Sequence, residues 1–576
     1  MNAVICVLNS KYIHSSLAPW CLLAGVDKWC ETGIEAEAVE GTINERPEAV
    51  MQRIVDKSPR VIGFCCYIWN ITATKQLIKL VKDRLPESVI VLGGPEVSYN
   101  AGDVLAGEPL VDYIISGEGE KPFALLLNAV YRNQQPKNIP GLCQRKGGRS
   151  VVSAPNTPEE EPPSPYGKDY FEALKGRIAY LETSRGCPYS CAFCLSGRCG
   201  GVRFFDIGRA EREILLLANS GTQTVKLVDR TFNINRKRAA ALFRFIIDNY
   251  GKTIPDGVCF HFEIAGDILD DETIGLLKTA PAGAVQLEIG LQSFYPKTLE
   301  HIDRKTDIQR LKANISSITQ AGNIHVHIDL IAGLPYEDID RFQDSFDAAY
   351  SLRPNMLQLG FLKLLHGSKM RDHPDIYPCR YGELPPYEVI DTPWMSAEEI
   401  RRLHRTEDAL ERLYNSGRFK RTLEYILGKS GMTPFALFFS FGQHCTEKVK
   451  ENISLDDYTA VAYEYFCGLE GIDKTVLRDI MVCDRLSTNP SGRLPKALDV
   501  KDDLLKAALK ELKKNPSTCP IKGVKRGAAV LYSEGCVVYA DYEHKNPVTG
   551  EYQINKVSLK DNIIQKPVSR SYGFHT

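Results

Sequence analysis

The chain has 576 residues, enough for two or three domains, and its 43% hydrophobic content is ample for real cores. A formal net charge of −1 and a pI near 6.8 exclude a large basic nucleic-acid footprint. Seventeen cysteines with no secretory leader read as reduced cytoplasmic thiols, not a disulfide framework, and no apolar run approaches the ~18 residues that span a bilayer. The start, Met1–Leu8, lacks a basic region and reads as a first strand.

Over residues 1–148 short apolar strands alternate with helical stretches. The strands are expected at Ala3–Leu8, Glu35–Val39, Val61–Cys65, Val89–Leu92 and Tyr113–Ile115, with helices such as Ile71–Arg84 between them. This alternation predicts an α/β fold with a doubly wound, Rossmann-like parallel sheet. Ligands on such sheets sit beyond the carboxyl ends of the strands. Those ends fall at Asn9–Ser16, Cys66–Asn70, Gly93–Ser98 and Gly117–Glu120. The glycines at two of them fit close approach of a ligand and tight turns equally well.

Residues 149–172 form a break. Pro155, Pro158, Glu159–Glu161, Pro162, Pro163 and Pro165 give it the composition of a stiff, solvated linker. A second alternation follows over 173–368. Its strands are expected at Ile178–Thr183, Thr224–Val228, Val258–Phe262, Val285–Ile289, His325–Ile331 and Met356–Phe361, separated by helices such as Ala239–Tyr250 and Leu311–Ala321. Six such units predict a partial (β/α)6 barrel, with its chemistry at the C-terminal ends of the strands.

The loop after the first of these strands carries Cys187, Cys191 and Cys194. Gaps of three and two residues leave no room for regular structure, so one loop can direct three sulfurs at three irons. Ferredoxin clusters take four cysteines; three leave one iron open to a substrate or cofactor. Cys199, between Gly197 and Gly201, is an uncertain fourth ligand. Zinc is the rival metal, but its structural sites usually combine two pairs, and no second pair is near. The bland alternative is three unliganded thiols. Polar residues recur at the later strand ends: Asp229, Glu263, Glu288, Gln292 and Asp329. Residues 369–576 are mainly helical to about Lys514, with Ser396 as a helix cap, and Val530–Tyr542, Gly550 and Tyr552 predict a small β-hairpin. His366, His373, Tyr377 and Tyr381 follow the sixth strand and receive no role.

Cys187, Cys191, Phe193 and Cys194 match Cys-x3-Cys-x-aromatic-Cys, and the chain here resembles the radical S-adenosylmethionine (radical SAM) superfamily. The resemblance implies a 4Fe-4S cluster on the three cysteines, whose fourth iron binds S-adenosylmethionine and whose electron yields a 5′-deoxyadenosyl radical. The segments Glu288–Ser293 and Asp329–Pro335 resemble those of oxygen-independent coproporphyrinogen oxidases and methylthiotransferases. Carried over by position, Phe193, Glu263, Gln292, Arg304 and Asp329 would contact S-adenosylmethionine, with Gln292 and Asp329 at the ribose and Glu263 and Arg304 at the methionine end. Asp229 stands in a divergent segment where the superfamily has its glycine-rich motif, and is a further candidate. Carboxylates suit ribose hydroxyls and an ammonium, and arginine suits a carboxylate; strand-end caps are the plain alternative for each.

Gly93, Gly94, Gly117, Glu118 and Gly119, on a domain preceding such a core, resemble the cobalamin-binding domain of cobalamin-dependent radical SAM proteins. The usual Asp-x-His-x-x-Gly is absent from Asn9–Ser16, so the resemblance implies a cobalt whose lower face lacks histidine; His14 lies outside that motif. The last third resembles an uncharacterised C-terminal extension of that group.

The expected function is hydrogen abstraction followed by cobalamin-dependent methyl transfer to an unactivated carbon of a small-molecule or peptide substrate. A reductase such as flavodoxin or ferredoxin would supply electrons. No nucleic acid and no membrane segment are expected, and no protein side chain is singled out as catalytic. Two alternatives stand beside it: a radical cyclase or rearrangement resembling anaerobic magnesium-protoporphyrin monomethyl ester cyclase, and a non-catalytic cobalamin or redox sensor. Methylthiotransfer to RNA is disfavoured, since no basic RNA-binding terminal domain is evident.

Overall fold

A computed structural model describes residues 1–448, 452–500 and 527–558. The chain divides into two bodies, the first comprising residues 1–324, 331–338 and 361–397, the second 325–330, 339–360 and the chain from 398 onward.

The first body opens with a seven-stranded sheet: β1 (Asn2–Asn9), β2 (Glu35–Thr42), β3 (Val61–Cys65), β4 (Val89–Gly93), β5 (Tyr113–Ile115), β6 (Leu142–Lys146) and β7 (Arg149–Val151). The order is β2-β1-β3-β4-β5-β6-β7. β1 to β5 are parallel, as expected, and β6 and β7 extend the edge antiparallel. Every residue of β1 from Ala3 to Asn9 is buried, because helices cover both faces of a parallel sheet. Val4, Cys6 and Leu8 enter one apolar cluster and Ala3, Ile5 and Val7 the other. The order reverses between β1 and β3, which places the ligand crevice of this topology at their carboxyl ends.

The linker is mostly exposed but is tied down at one point. Residue Asn156 is knitted to the turn after β5: its N–H donates to Ser116 O (2.8 Å), its carbonyl accepts from Glu118 N (2.8 Å), and its side-chain amide donates to Glu118 O (2.8 Å). Pro162 and Pro165 are buried. Proline removes a donor but leaves its neighbours free to pair, so a proline-rich segment can still pin a loop.

Four strands of the second alternation form a parallel sheet in the same body: β8 (Ala179–Leu181), then β11 (Thr224–Leu227), β12 (Cys259–Ile264) and β13 (Val285–Gln292). Between β8 and β11, β9 (Ser184–Cys187) and β10 (Gly201–Phe204) pair antiparallel and close the cysteine loop as a hairpin. One face of the four-stranded sheet is apolar: Ala179, Leu181, Val225, Leu227, Phe260, Phe262, Leu287 and Ile289 are fully buried. The opposite positions are Tyr180, Lys226, His261, Glu263, Gln286 and Glu288, aligned by the strand register.

The expected strands β14 (His325–Ala332) and β15 (Met356–Phe361) lie mostly in the second body, where Val326 O accepts from Asn355 N (2.8 Å). Helices Ile339–Ser351, Ala397–Leu410, Lys420–Ser430, Pro434–Lys448, Leu455–Cys467 and Lys474–Thr488 follow. Phe342, Phe346, Phe438, Phe441 and Phe466 form its fully buried aromatic core. The expected hairpin is a three-stranded antiparallel sheet, Ala528–Leu531, Cys536–Lys545 and Tyr552–Ser558. The chain turns at Ser533–Gly535, where Gly535 takes a positive φ of 62° and Asp479 accepts from Ser533 N (2.7 Å). Helical patterning expected between Lys501 and Lys514 lies outside the described residues.

Candidate active site

The cysteine loop is tightly held. Arg185 pairs with Arg203, and Cys187 with Gly201, across the β9–β10 ladder. Ala192 N donates to Ile302 O (2.9 Å), and a turn closes with Cys194 N on Cys191 O (3.0 Å). Cys187 and Cys191 are buried, and Cys194 is half-buried. Each sulfur has a hydrogen-bonding neighbour: Cys187 the Thr231 hydroxyl (3.4 Å), Cys191 the Arg304 guanidinium (3.7 Å), Cys194 the Ser196 N–H (3.4 Å). Burial pushes the Cys191 thiol up, and the Arg304 charge opposes it. Such donors tune metal-bound thiolates, so the set fits an iron–sulfur group held by three cysteines. Phe193 is half-buried in the same loop.

Arg304 joins this loop to the end of β13. One guanidinium nitrogen donates to Gly290 O, and the other reaches Cys191. Its Nε is buried without a hydrogen-bond partner, a spare donor beside the sulfur that suits an anionic group. Gln292, at the end of β13, is buried and sits at φ 74°. A non-glycine residue in that region is strained by ~1–2 kcal/mol, and such outliers gather at ligand sites. Cys191, Arg304, Gly290 and Gln292 therefore converge.

Glu263 lies on the polar face of the sheet. It is 3.9 Å from the Lys226 ammonium and 3.8 Å from Arg230. Lys226 also meets Glu288 (3.0 Å), which accepts a further contact from His261 Nε2 (2.7 Å). Asp229 is spent within the protein: its oxygens accept from Thr183 N (3.0 Å), the Thr183 hydroxyl (2.7 Å) and the Ser184 hydroxyl (2.5 Å). Burial pushes it up to about 6, against those three bonds. Asp329 lies in the second body, 2.9 Å from His327 Nε2.

Beyond β1, β3, β4 and β5 opens a cavity of about 620 Å³. Gly93, Gly94, Gly117, Glu118 and Gly119 all line it, with Tyr67 and Trp69 after β3. Trp69 stacks on Tyr67 with ring centroids 4.4 Å apart. The far wall comes from β8, β9 and the loops that follow β8 and β11, through Tyr180, Glu182, Arg185, Val228 and Arg230. His14 also lines it and holds the Tyr180 hydroxyl through Nδ1 (2.8 Å). The two glycines with positive φ serve chain crossings: a Cβ at Gly94 would lie 2.4 Å from Cys66 O, and one at Gly117 2.3 Å from Asn156 O. Glu118 is ion-paired to Arg185 and to Arg203 (2.7 Å), and Arg185 also binds Glu120 (2.7 Å) and Glu182 (2.8 Å). Burial alone would raise Glu120, but the Arg185 charge outweighs it and holds the carboxyl below the usual range. A broad, largely apolar cleft with polar groups at its rim fits a large planar cofactor.

Sequence reasoning does not single out Lys226, His261, Tyr180, Arg185, Tyr67 or Trp69. The signal is present in β11 to β13, where a polar residue alternates with each apolar one, whereas a filled barrel carries layers of branched apolar side chains.

Comparison with known proteins matches residues 5–127 to a B12 binding domain, residues 181–349 to the radical SAM superfamily, and residues 375–522 to a protein family of unknown function, DUF4080. The chain is 29% identical over 364 residues to a 2-(S-pantetheinyl)-carbapenam-3-carboxylate methyltransferase of Streptantibioticus cattleyicolor, covering 58% of this chain and 48% of the relative. It is 30% identical over 307 residues to the cobalamin-dependent radical SAM methyltransferase TokK of Streptomyces tokunonensis, covering 50% and 44%. The chain thus spans about half the length of these curated relatives. Among solved structures, the cobalamin-dependent S-adenosylmethionine radical enzyme OxsB, with aqua-cobalamin and S-adenosylmethionine bound, superposes with a TM-score of 0.59 at 13% identity, covering 84% of this chain and 78% of that one. That likeness concerns the fold.

Proposed function

We propose, for a chain that is a radical SAM protein with a B12-binding domain and a DUF4080 extension, that it methylates an unactivated carbon of a small-molecule or peptide substrate. The observation that carries this reading is the shared cavity. Its floor is the glycine loops of the first sheet, and its far wall includes Arg185, two residues before Cys187. A cofactor lying there would be next to the cysteine loop. When bound, the cluster and S-adenosylmethionine supply a hydrogen-abstracting radical, and cobalamin supplies a transferable methyl group.

The chain's own residues divide the remaining work. Cys187, Cys191 and Cys194 would hold the iron–sulfur group. Arg304, with its spare Nε, would take the carboxylate of S-adenosylmethionine, and Gln292 and Glu263 its other polar groups. Gly93, Gly94, Gly117, Glu118 and Gly119 would frame cobalamin, with Tyr67 and Trp69 beside them. Lys226, His261 and Glu288 give the sheet a charged, hydrogen-bonding face, which suits a substrate with polar groups near its reacting carbon. Electrons would come from a small reductase such as flavodoxin or ferredoxin.

The test is reaction of reduced, cobalamin-loaded protein with S-adenosylmethionine. Methyl transfer predicts S-adenosylhomocysteine alongside 5′-deoxyadenosine, about one equivalent per cobalamin before any substrate is added. 5′-Deoxyadenosine with no S-adenosylhomocysteine would contradict methyl transfer and favour cyclisation or rearrangement.

A further inference from the structure

The segment that follows β15 contacts both the cysteine loop and the cobalamin-side loops. At the first contact, Met370 N donates to Ala192 O (3.0 Å), between Cys191 and Cys194. Lys369 binds Asp303 (2.5 Å), the neighbour of Arg304, and Asp372 pairs with Arg198 of the cysteine loop. At the second contact, the Tyr387 hydroxyl donates to Glu96 Oε1 (2.5 Å) in a buried site. Glu96 is 6% exposed and lies in the short helix Pro95–Ser98, directly after Gly93 and Gly94. That helix also ties the glycine loops together: the Ser98 hydroxyl donates to Gly94 O (2.8 Å), and Ser98 O accepts from the Ser116 hydroxyl (2.7 Å) beside Gly117.

The two contacts belong to one packed unit. Leu364 N donates to Tyr387 O (3.0 Å), and Val389 N to Leu362 O (2.9 Å). Arg371, one residue from Met370, donates to Leu364 O (2.6 Å) and lies 4.6 Å over the Tyr387 ring. The His366 ring packs edge-on against the same tyrosine, with centroids 5.0 Å apart. A buried carboxyl survives only with its partner in place, so Tyr387 and Glu96 specify one docking geometry.

We propose that residues 362–391 form a bracket that sets the cobalamin-side glycine loops against the cysteine loop, and that Tyr387 is its positioning residue, acting through Glu96. This rests on the reading that the cavity holds cobalamin, and it gives the start of the DUF4080 region a role in keeping two cofactor sites in register.

Full-length, cluster-loaded protein titrated with hydroxocobalamin tests it. Tyr387→Phe keeps the ring and loses the hydroxyl; the dissociation constant should rise at least ~10-fold, the size of one hydrogen bond to a carboxylate. Iron per chain should stay at the wild-type level, which a general loss of folding would lower. Glu96→Gln still accepts the bond and should remain within about threefold of wild type, whereas Glu96→Ala should match Tyr387→Phe. Tyr387→Phe binding within twofold of wild type would overturn the bracket. If that variant does not fold, hydrogen exchange on the wild type decides: peptides within 362–391 should gain protection with those of 93–98 when hydroxocobalamin binds, and no change in 362–391 would overturn it. Failure of the wild type itself to bind cobalamin would instead defeat the proposed function.

Discussion

Arg304 reaches a cysteine sulfur and a strand-end carbonyl while its Nε stays unpartnered. Its fork cannot be copied by lysine. Arg304→Lys should keep the iron and weaken S-adenosylmethionine binding by about 10-fold, read by equilibrium dialysis against the iron content. Cys191→Ala should behave oppositely, losing the iron and the visible cluster absorbance while cobalamin uptake persists. The buried carboxyls make a separate prediction. Asp229 and Asp484 are both pushed up to about 6 by burial, from an ordinary 3.8. The folded state then holds protons that the unfolded state has released, so stability falls as pH rises from about 4 through 6. At Asp484 the loss is at most roughly 3 kcal/mol. Asp484→Asn should flatten the pH dependence of the denaturant midpoint across that window; an unchanged slope would refute the assignment.

The elements that position the site are legible in the sequence to different degrees. The five parallel strands of the first sheet and the cysteine loop follow from alternation and spacing, because each is a local pattern. β6 and β7 are not, since an antiparallel edge of five and three residues has too short a pattern to stand out from loop. The glycine loops do line a cleft, but Gly94 and Gly117 are needed for backbone crossings that only the fold reveals. Asp229 resembles a cofactor contact because it ends a strand; the Thr183 and Ser184 donors that occupy it come from another strand's end. The prolines of the linker do not reveal where it is tied down, since the bonds at Asn156 depend on one asparagine meeting a distant turn. In the second body, Phe438 is fully buried on helix Pro434–Lys448, against Phe346 and Tyr350. Phe438→Ala should cost about 3–5 kcal/mol, measured by the shift in denaturant midpoint; a cost below ~1 kcal/mol would mean that this aromatic core is not tightly packed.

At the scale of the whole chain, one cleft is lined by the loops beyond the first sheet and, opposite them, by Tyr180, Glu182, Arg185, Val228 and Arg230. No helix among the described residues is long and apolar enough to cross a membrane. The proposed function places the corrinoid in this cleft, next to the cysteine loop. Anaerobic reconstitution with iron, sulfide and hydroxocobalamin, followed by metal analysis and a dithionite-driven assay for 5′-deoxyadenosine, tests it most directly. Four irons and one cobalt per chain are expected, with 5′-deoxyadenosine that disappears in Cys191→Ala. Well-folded protein that takes up cobalt but no iron, or that cleaves S-adenosylmethionine with no bound cobalamin, would contradict it.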